Sequence, residues 1–338
     1  MPTVTIKDIA RLAEVNPATV SKALRGLPGK VAPETRARIE AIARELGYRP
    51  NAVAATLRTR RSNLIGVIVP DLGNPLFGPI VQGLERRLRD AGWMSIVVQT
   101  PAEAEAKREV VTALANRQVA GFVITSAESD DPMLEAAEQC KLPVVLVNRG
   151  LDERRFSSVV NDDRESVRLA LEHLASLGHR RLAHIAGPTS SSTGRARRQA
   201  FEAMVRKLPG ASGVIEDTPA FTRDAGFDAM RRILERGEAQ RPTAVFAGND
   251  LIAVGAIDAL RQAGLRVPQD VSVVGHNDMP LVDMIDPPLT TVRVPTDRMS
   301  DHATELLLEH LASPGLSPMQ RILTPVLVVR GSTARPAR

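Results

Sequence analysis

The chain has 338 residues, enough for a small module and a two-lobed body with a core in each lobe, and its single cysteine, Cys140, rules out a disulfide framework within the chain. No apolar h-region is visible in MPTVTIKDIA and the longest apolar runs, such as LIGVIVP, are too short to span a bilayer, so secretion and membrane insertion are not expected and a reducing cytoplasm is. The net charge of +5 is uneven: residues 1–61 carry twelve Lys or Arg against five Asp or Glu, a local +7, whereas the remainder is −2, which marks the N-terminal end as a footprint for nucleic acid.

Residues 1–48 show helical spacing in three short pieces. Thr5 caps a helix over 6–13, and Asn16 followed by Pro17 opens a second over 17–24, because Asn accepts orphan amide protons and Pro fits the first turn. Pro33 and Glu34 open a third that runs to Leu46 and ends at Gly47. Ile9, Ala10, Val20, Leu24, Ile39, Ile42 and Leu46 recur at three- and four-residue spacing and form a miniature core. Helix, short turn, helix is the DNA-reading unit. Residues 49–62 follow as a linker or marginal helix, Ala-rich with basic residues and no apolar face.

From residue 63 the pattern alternates. LIGVIVP, SIVVQT, GFVITS and PVVLVN read as strands separated by helices near 79–90, 103–117 and 131–140. A second set follows: SSVVND, RLAHIAG, TAVFAG and VSVVGH, with helices near 164–177, 195–207, 223–236 and 251–263. The fold class is therefore α/β, an all-α helix-turn-helix headpiece before two doubly wound lobes. The tail, LTTVRVP, a helix near 297–311 and ILTPVLVVRGST, can return to both lobes. On this reading the first lobe holds 63–160 and 291–318, and the second 161–290 and 319–333.

Over nearly its whole length the chain resembles the lactose and galactose repressor (LacI/GalR) family, through TIKDIARLAEV, ATVSKAL, TRARIEAIARELGYRPN, IGVIVPDLGNPLF, SLGHRRLAHIAGP, FAGNDLIAVGAIDAL and DPPLTTVRVP. The resemblance implies a periplasmic-binding-protein-like body, a small-molecule effector between its lobes, and a homodimer on a near-palindromic double-stranded operator. It implies no catalysis, cofactor or metal. In agreement, no G-x-G-x-x-G follows a strand, no Walker loop is present, and the six histidines lack metal-ligand spacing. Two other readings are a periplasmic solute-binding protein, opposed by the basic headpiece and absent signal peptide, and an architectural DNA-binding protein without a ligand.

For DNA, the resemblance places Pro17, Ala18 and Lys22 against base edges in the major groove, Lys22 being the one long donor suited to guanine, with a phosphate contact as its alternative. Thr5, Thr19 and Ser21 hold phosphates. In the linker the family's ARSL pattern aligns with Ala54, Ala55, Thr56 and Leu57, making Leu57 a minor-groove wedge, with Asn51 and Arg58 as further contacts. Ala55 stands where Arg is common.

For the effector, the resemblance assigns Phe77 and Thr125 in the first lobe and Asn148, Arg197, Phe221, Asn249 and Asn277 in the hinge and second lobe. Arg197 matches the arginine of an R-x-x-G-F pattern in which Ala200 replaces the glycine, and is the clamp for a hydroxyl or carboxylate. Core packing is the alternative for the two phenylalanines, and helix capping for Asn249. Asn277 stands where the family commonly has Asp. An amide there, opposite Arg197, makes the cleft less negative and favours a sugar acid over a neutral sugar, unless Asp278 supplies the carboxylate.

Overall fold

The computed structural model describes residues 4–24, 30–48, 62–128 and 130–337, in two compact units, Met1–Ser62 and Asn63–Arg338. The expected linker residues Asn51, Leu57 and Arg58, with Ala54, Ala55 and Thr56, lie outside the described residues.

In the headpiece, α1 (Ile6–Leu12), α2 (Pro17–Leu24) and α3 (Pro33–Glu45) surround a small core of Ile9, Ala10, Ala13, Val20, Ala23, Ile39 and Ala43. Each helix starts for a local reason. The Asp8 carboxylate accepts both the backbone N–H (2.9 Å) and the hydroxyl (2.7 Å) of Thr5, closing the first turn of α1. Asn16 Oδ1 accepts the Ala18 N–H at 2.8 Å, and Pro17 occupies the position where no donor is needed. Gly47, at φ +62°, adopts the left-handed conformation that ends α3.

The body contains two six-stranded sheets. The first-lobe sheet holds β1 (Leu64–Val69), β2 (Met94–Gln99), β3 (Gly121–Ile124), β4 (Val144–Asn148), β5 (Ser157–Asn161) and β11 (Gln320–Leu323), in the order β11-β5-β4-β3-β1-β2. Around it lie α4 (Phe77–Asp90), α5 (Ala104–Asn116), α6 (Pro132–Gln139) and α11 (Thr296–Ala312). The second-lobe sheet holds β6 (Arg181–Ala186), β7 (Ser212–Asp217), β8 (Ala244–Ala247), β9 (Ser272–Asn277), β10 (Thr290–Arg293) and β12 (Val326–Val328), in the order β12-β10-β9-β8-β6-β7. Its helices are α7 (Asp163–Ser176), α8 (Ser192–Lys207), α9 (Arg223–Leu234) and α10 (Asp250–Gln262). All pairings are parallel except β10 with β12.

Helices cover both faces of each sheet, so central strands bury alternate residues in different cores. Ile65, Val67 and Val69 of β1 point into one cluster and Ile68 into the other, which is why such strands read as continuous apolar runs. In the second lobe, α9 and α10 approach through two glycines. A Cβ on Gly255 would stand 1.9 Å from the Arg223 carbonyl, and one on Gly226 2.3 Å from that of Ile252.

Two assignments of the lobe boundaries change, and one strand moves between the two sets of elements. SSVVND, grouped with the second set, supplies β5 of the first-lobe sheet, paired parallel to β4. Residues 291–293, assigned to the first lobe, form most of β10, hydrogen-bonded to β9, and the chain leaves the second lobe only after Arg293. Residues 320–323, assigned to the second lobe, form β11 beside β5, with Gln320 opposite Ser158. Strand β7 has no counterpart in the sequence reading, because SGVIED lies at a half-exposed sheet edge and lacks an apolar run.

Candidate functional site

Two surfaces concern function. On the headpiece, α2 buries Val20, Ser21 and Ala23 and exposes Pro17, Ala18 and Lys22, with Thr19 half-buried. One turned-out helical face therefore carries the residues expected to meet base edges. Ser21, at 7% exposure, is the most buried of the three residues expected to hold phosphates, and Thr5 the most exposed. Thr5 is exposed, but its hydroxyl is engaged by Asp8 at 2.7 Å, which makes it primarily a cap.

In the body, a cavity of about 250 Å³ is bounded by both lobes. Its walls come from the C-terminal ends of strands: Pro70, Asp71 and Asn74 after β1, Glu128 after β3, Asn148 and Arg149 at the end of β4, Pro188 and Thr193 after β6, Pro219–Thr222 after β7, Asn249 after β8, and Asn277 closing β9. Ligands of doubly wound sheets bind at this edge, where loops are free to vary while the strands hold them still. Phe77, Asn148, Arg197, Phe221, Asn249 and Asn277 line the cavity. Thr125 is a correction. Its fully buried hydroxyl donates to the Ile68 carbonyl (3.2 Å) in the neighbouring strand and is absent from the wall.

The side chains that meet here differ in what they have left to offer. Asn249 caps α10, its Oδ1 accepting the Ile252 N–H at 2.8 Å while its Nδ2 donates to the Phe221 carbonyl at 3.3 Å. Arg197, 3% exposed, donates through Nε to Asp163 (2.8 Å) and through Nη1 to the Gly248 carbonyl (2.5 Å), with Nη2 taking part in neither bond. Burial pushes the Asp163 carboxyl up, and the Arg197 guanidinium opposes that shift. The sequence assigns Arg197 as a clamp for a ligand hydroxyl or carboxylate. The structure gives it a carboxylate of its own.

Phe77 is both core and wall, packed against the first-lobe cluster at the start of α4. Phe221 lies over Gly187, where a Cβ would come within 2.1 Å of the ring, and the Arg149 guanidinium stands 5.9 Å from its centroid. Arg149, Asp71, Asn74 and Glu128 were not foreseen. Arg149 Nη1 is 3.6 Å from Glu128, and its buried Nε lacks a hydrogen-bond partner. Burial lowers its pKa. The signal that finds these residues is position alone, since each lies in the loop that leaves the C-terminal end of a parallel strand.

Asn148 and Asn277 occupy equivalent places, the last residues of the strands third from the β11 and β12 edges of the two sheets. Both have left-handed backbone, φ +68° and +119°, a conformation asparagine tolerates better than most residues. Asn148 Oδ1 is buried with no hydrogen-bond partner. Asn277 Oδ1 is 2.9 Å from Nδ1 of the fully buried His276. Among the described residues, no group of His, Cys, Asp and Glu is arranged to hold a metal ion, and no helix is long and apolar enough to cross a membrane.

Residues 5–51 match the family model of bacterial regulatory proteins of the lacI family, and residues 171–333 match that of the periplasmic binding protein-like domain. The ribose operon repressor of Escherichia coli (strain K12) is 32% identical over 333 residues, covering 97% of this chain and 99% of that protein. A lac repressor dimer bound to operator and an anti-inducer superposes with a TM-score of 0.86 at 28% identity, over 98% of this chain and 100% of that one. A LacI-family regulator from Enterococcus faecium with bound ribose superposes with a TM-score of 0.70 at 29% identity, over 80% of this chain and 99% of its own.

Proposed function

The chain belongs to the lacI family of bacterial regulatory proteins, and from that premise we propose that it is a cytoplasmic transcriptional repressor that binds a near-palindromic operator as a homodimer and responds to a neutral sugar of about pentose size. It is a regulator and not an enzyme, as its full-length relatives are repressors. Pro17, Ala18 and Lys22 read bases; Thr19, Asn51 and Arg58 contact the backbone; Leu57 is the minor-groove wedge.

The observation that carries the effector reading is the cavity wall, where the phenylalanines Phe77 and Phe221 flank amides and guanidiniums drawn from both lobes. The wall carries Asp71 and Glu128 alongside Arg149 and Arg197, and Asp163 neutralises Arg197 from behind, so no net positive charge remains to demand an acid. That balance supports a neutral sugar over the sugar acid first expected from Asn277. D-ribose is the first compound to test, because a ribose operon repressor and a ribose-bound regulator are among the relatives.

A small ligand moves DNA affinity only through different affinities for the two states of the protein. The test has two parts. Selection from random duplexes should return a two-fold symmetric site whose affinity falls steeply with salt. Calorimetry should show D-ribose binding and D-ribonate not binding. Tight ribonate binding without ribose binding would restore the acidic effector, and a response to neither would remove this sugar assignment.

A further inference from the structure

His276 is fully buried behind the cavity wall. Each ring nitrogen has one polar group near it. Nδ1 lies 2.9 Å from Asn277 Oδ1, within hydrogen-bond reach, while Nε2 lies 3.7 Å from Asp163 Oδ1 and makes no hydrogen bond. That Asp163 oxygen already accepts from Arg197 Nε at 2.8 Å and Asn161 Nδ2 at 3.4 Å.

Burial and the nearby Arg197 charge disfavour a second proton on the ring, so the imidazole has one N–H to place. On Nδ1 it completes a bond to Asn277. On Nε2 it would point at an occupied oxygen beyond bonding distance, leaving a buried donor unpaired, and the Asn277 amide would have to rotate to supply a proton to Nδ1. An unmade buried hydrogen bond is the costlier outcome. The Nδ1–H form is therefore favoured, and it leaves Nδ2 as the polar group that Asn277 offers to the cavity.

We propose that His276 is a positioning residue that sets the polarity of effector recognition: by donating to Asn277 Oδ1 it turns the amide nitrogen toward the ligand, so the second lobe recognises an oxygen acceptor. From the first lobe, Asn148 lines the same cavity. The amide at position 277 thus acts through hydrogen-bond direction rather than by inviting negative charge. The effector class is a neutral polyol with a ring, carbonyl or hydroxyl oxygen aimed at Asn277. A site built this way discriminates strongly against analogues lacking the matching group.

This inference rests on the sugar reading of the cavity, but its first test needs no ligand. Long-range ¹H–¹⁵N spectra of the full chain labelled at histidine, with His276 assigned by its loss in His276→Phe or its displacement in Asn277→Ala, should show Nδ1 protonated and Nε2 bare. Protonation at Nε2, or a doubly protonated ring at neutral pH, overturns it. Titration with D-ribose should then shift the Asn277 side-chain amide protons, and His276→Phe should weaken D-ribose about tenfold, the scale of one hydrogen bond. Ribose binding that leaves those protons unmoved also overturns the proposal. Failure of ribose to bind at all counts against the effector identity, while the tautomer still decides the role of His276.

Discussion

Replacing Asp163 by Asn tests whether the ion pair behind the cavity is structural. The Arg197 and Asp163 side chains are only 4% and 10% exposed, so their charges are screened chiefly by each other. Breaking a buried pair from one side costs about 3–5 kcal/mol, because the remaining charge is left desolvated. For a body of this size each kcal/mol moves the melting temperature by roughly 2–3 °C, giving an expected loss of about 6–15 °C for Asp163→Asn. Arg197→Met should cost a similar amount, since Asp163 loses its cation, keeping only Asn161 as a donor to that oxygen, and the Gly248 carbonyl loses the Arg197 donor. Combining Arg197→Met with Asp163→Leu should recover most of the loss, as replacing a whole buried pair by apolar groups is commonly near neutral. Near-ultraviolet circular dichroism melts of the parent, Asp163→Asn, Asp163→Leu, Arg197→Met and the double variant, all full-length, read the cycle. Single variants melting within about 2 °C of the parent, or a double variant with additive losses, would refute the reasoning.

Lys22→Ala should weaken operator binding by roughly 1–3 kcal/mol and relax preference at one base pair per half-site, and an unchanged selected motif would demote Lys22 to a phosphate contact. Gly255→Ala should destabilise the second lobe by about 1–3 kcal/mol or more, since the new methyl meets the Arg223 carbonyl and the Phe227 backbone nitrogen rather than a movable side chain, and denaturant unfolding measures it. Asp250, fully buried where it accepts from Thr291 and the Met279 N–H, has its pKa pushed up to about 7 by burial. Its contribution to stability is complete below the ordinary carboxylate range and is lost as pH rises through about 7, so from about pH 5 to 8 the parent should lose roughly 2–3 kcal/mol relative to Asp250→Asn. Parallel stability curves for the two proteins would show that Asp250 does not titrate there.

The headpiece was legible because its signals are local. Asn16–Pro17 opens a helix and Gly47 ends one whatever the rest of the chain does. Central strands announced themselves by burial on both faces, and edge strand β7 did not. The fate of Arg197 was out of reach because its partner, Asp163, is 34 residues away and no spacing rule links them. Asn249 and Asn277 are the same residue type in similar strand-end positions, yet one is engaged by its own helix and the other by a neighbouring histidine. Which groups on an asparagine remain free is a tertiary fact. Arg149 and Glu128 escaped notice for the opposite reason, since each sits in an unremarkable loop and gains meaning only from the strand it follows.

The chain passes between the lobes three times, after β5, between β10 and α11, and between β11 and β12, so each sheet takes its final strand from the last twenty residues. During synthesis neither lobe can complete its sheet while residues 320–328 are still within the ribosome, even though most of the first lobe emerged long before. The nascent first lobe must wait with the β5 edge uncovered, a surface open to mispairing and to chaperones. A premature stop before Gln320 would therefore leave two unfinished lobes, not one intact lobe and one missing, and the truncated chain would be a substrate for proteolysis rather than a shortened sensor.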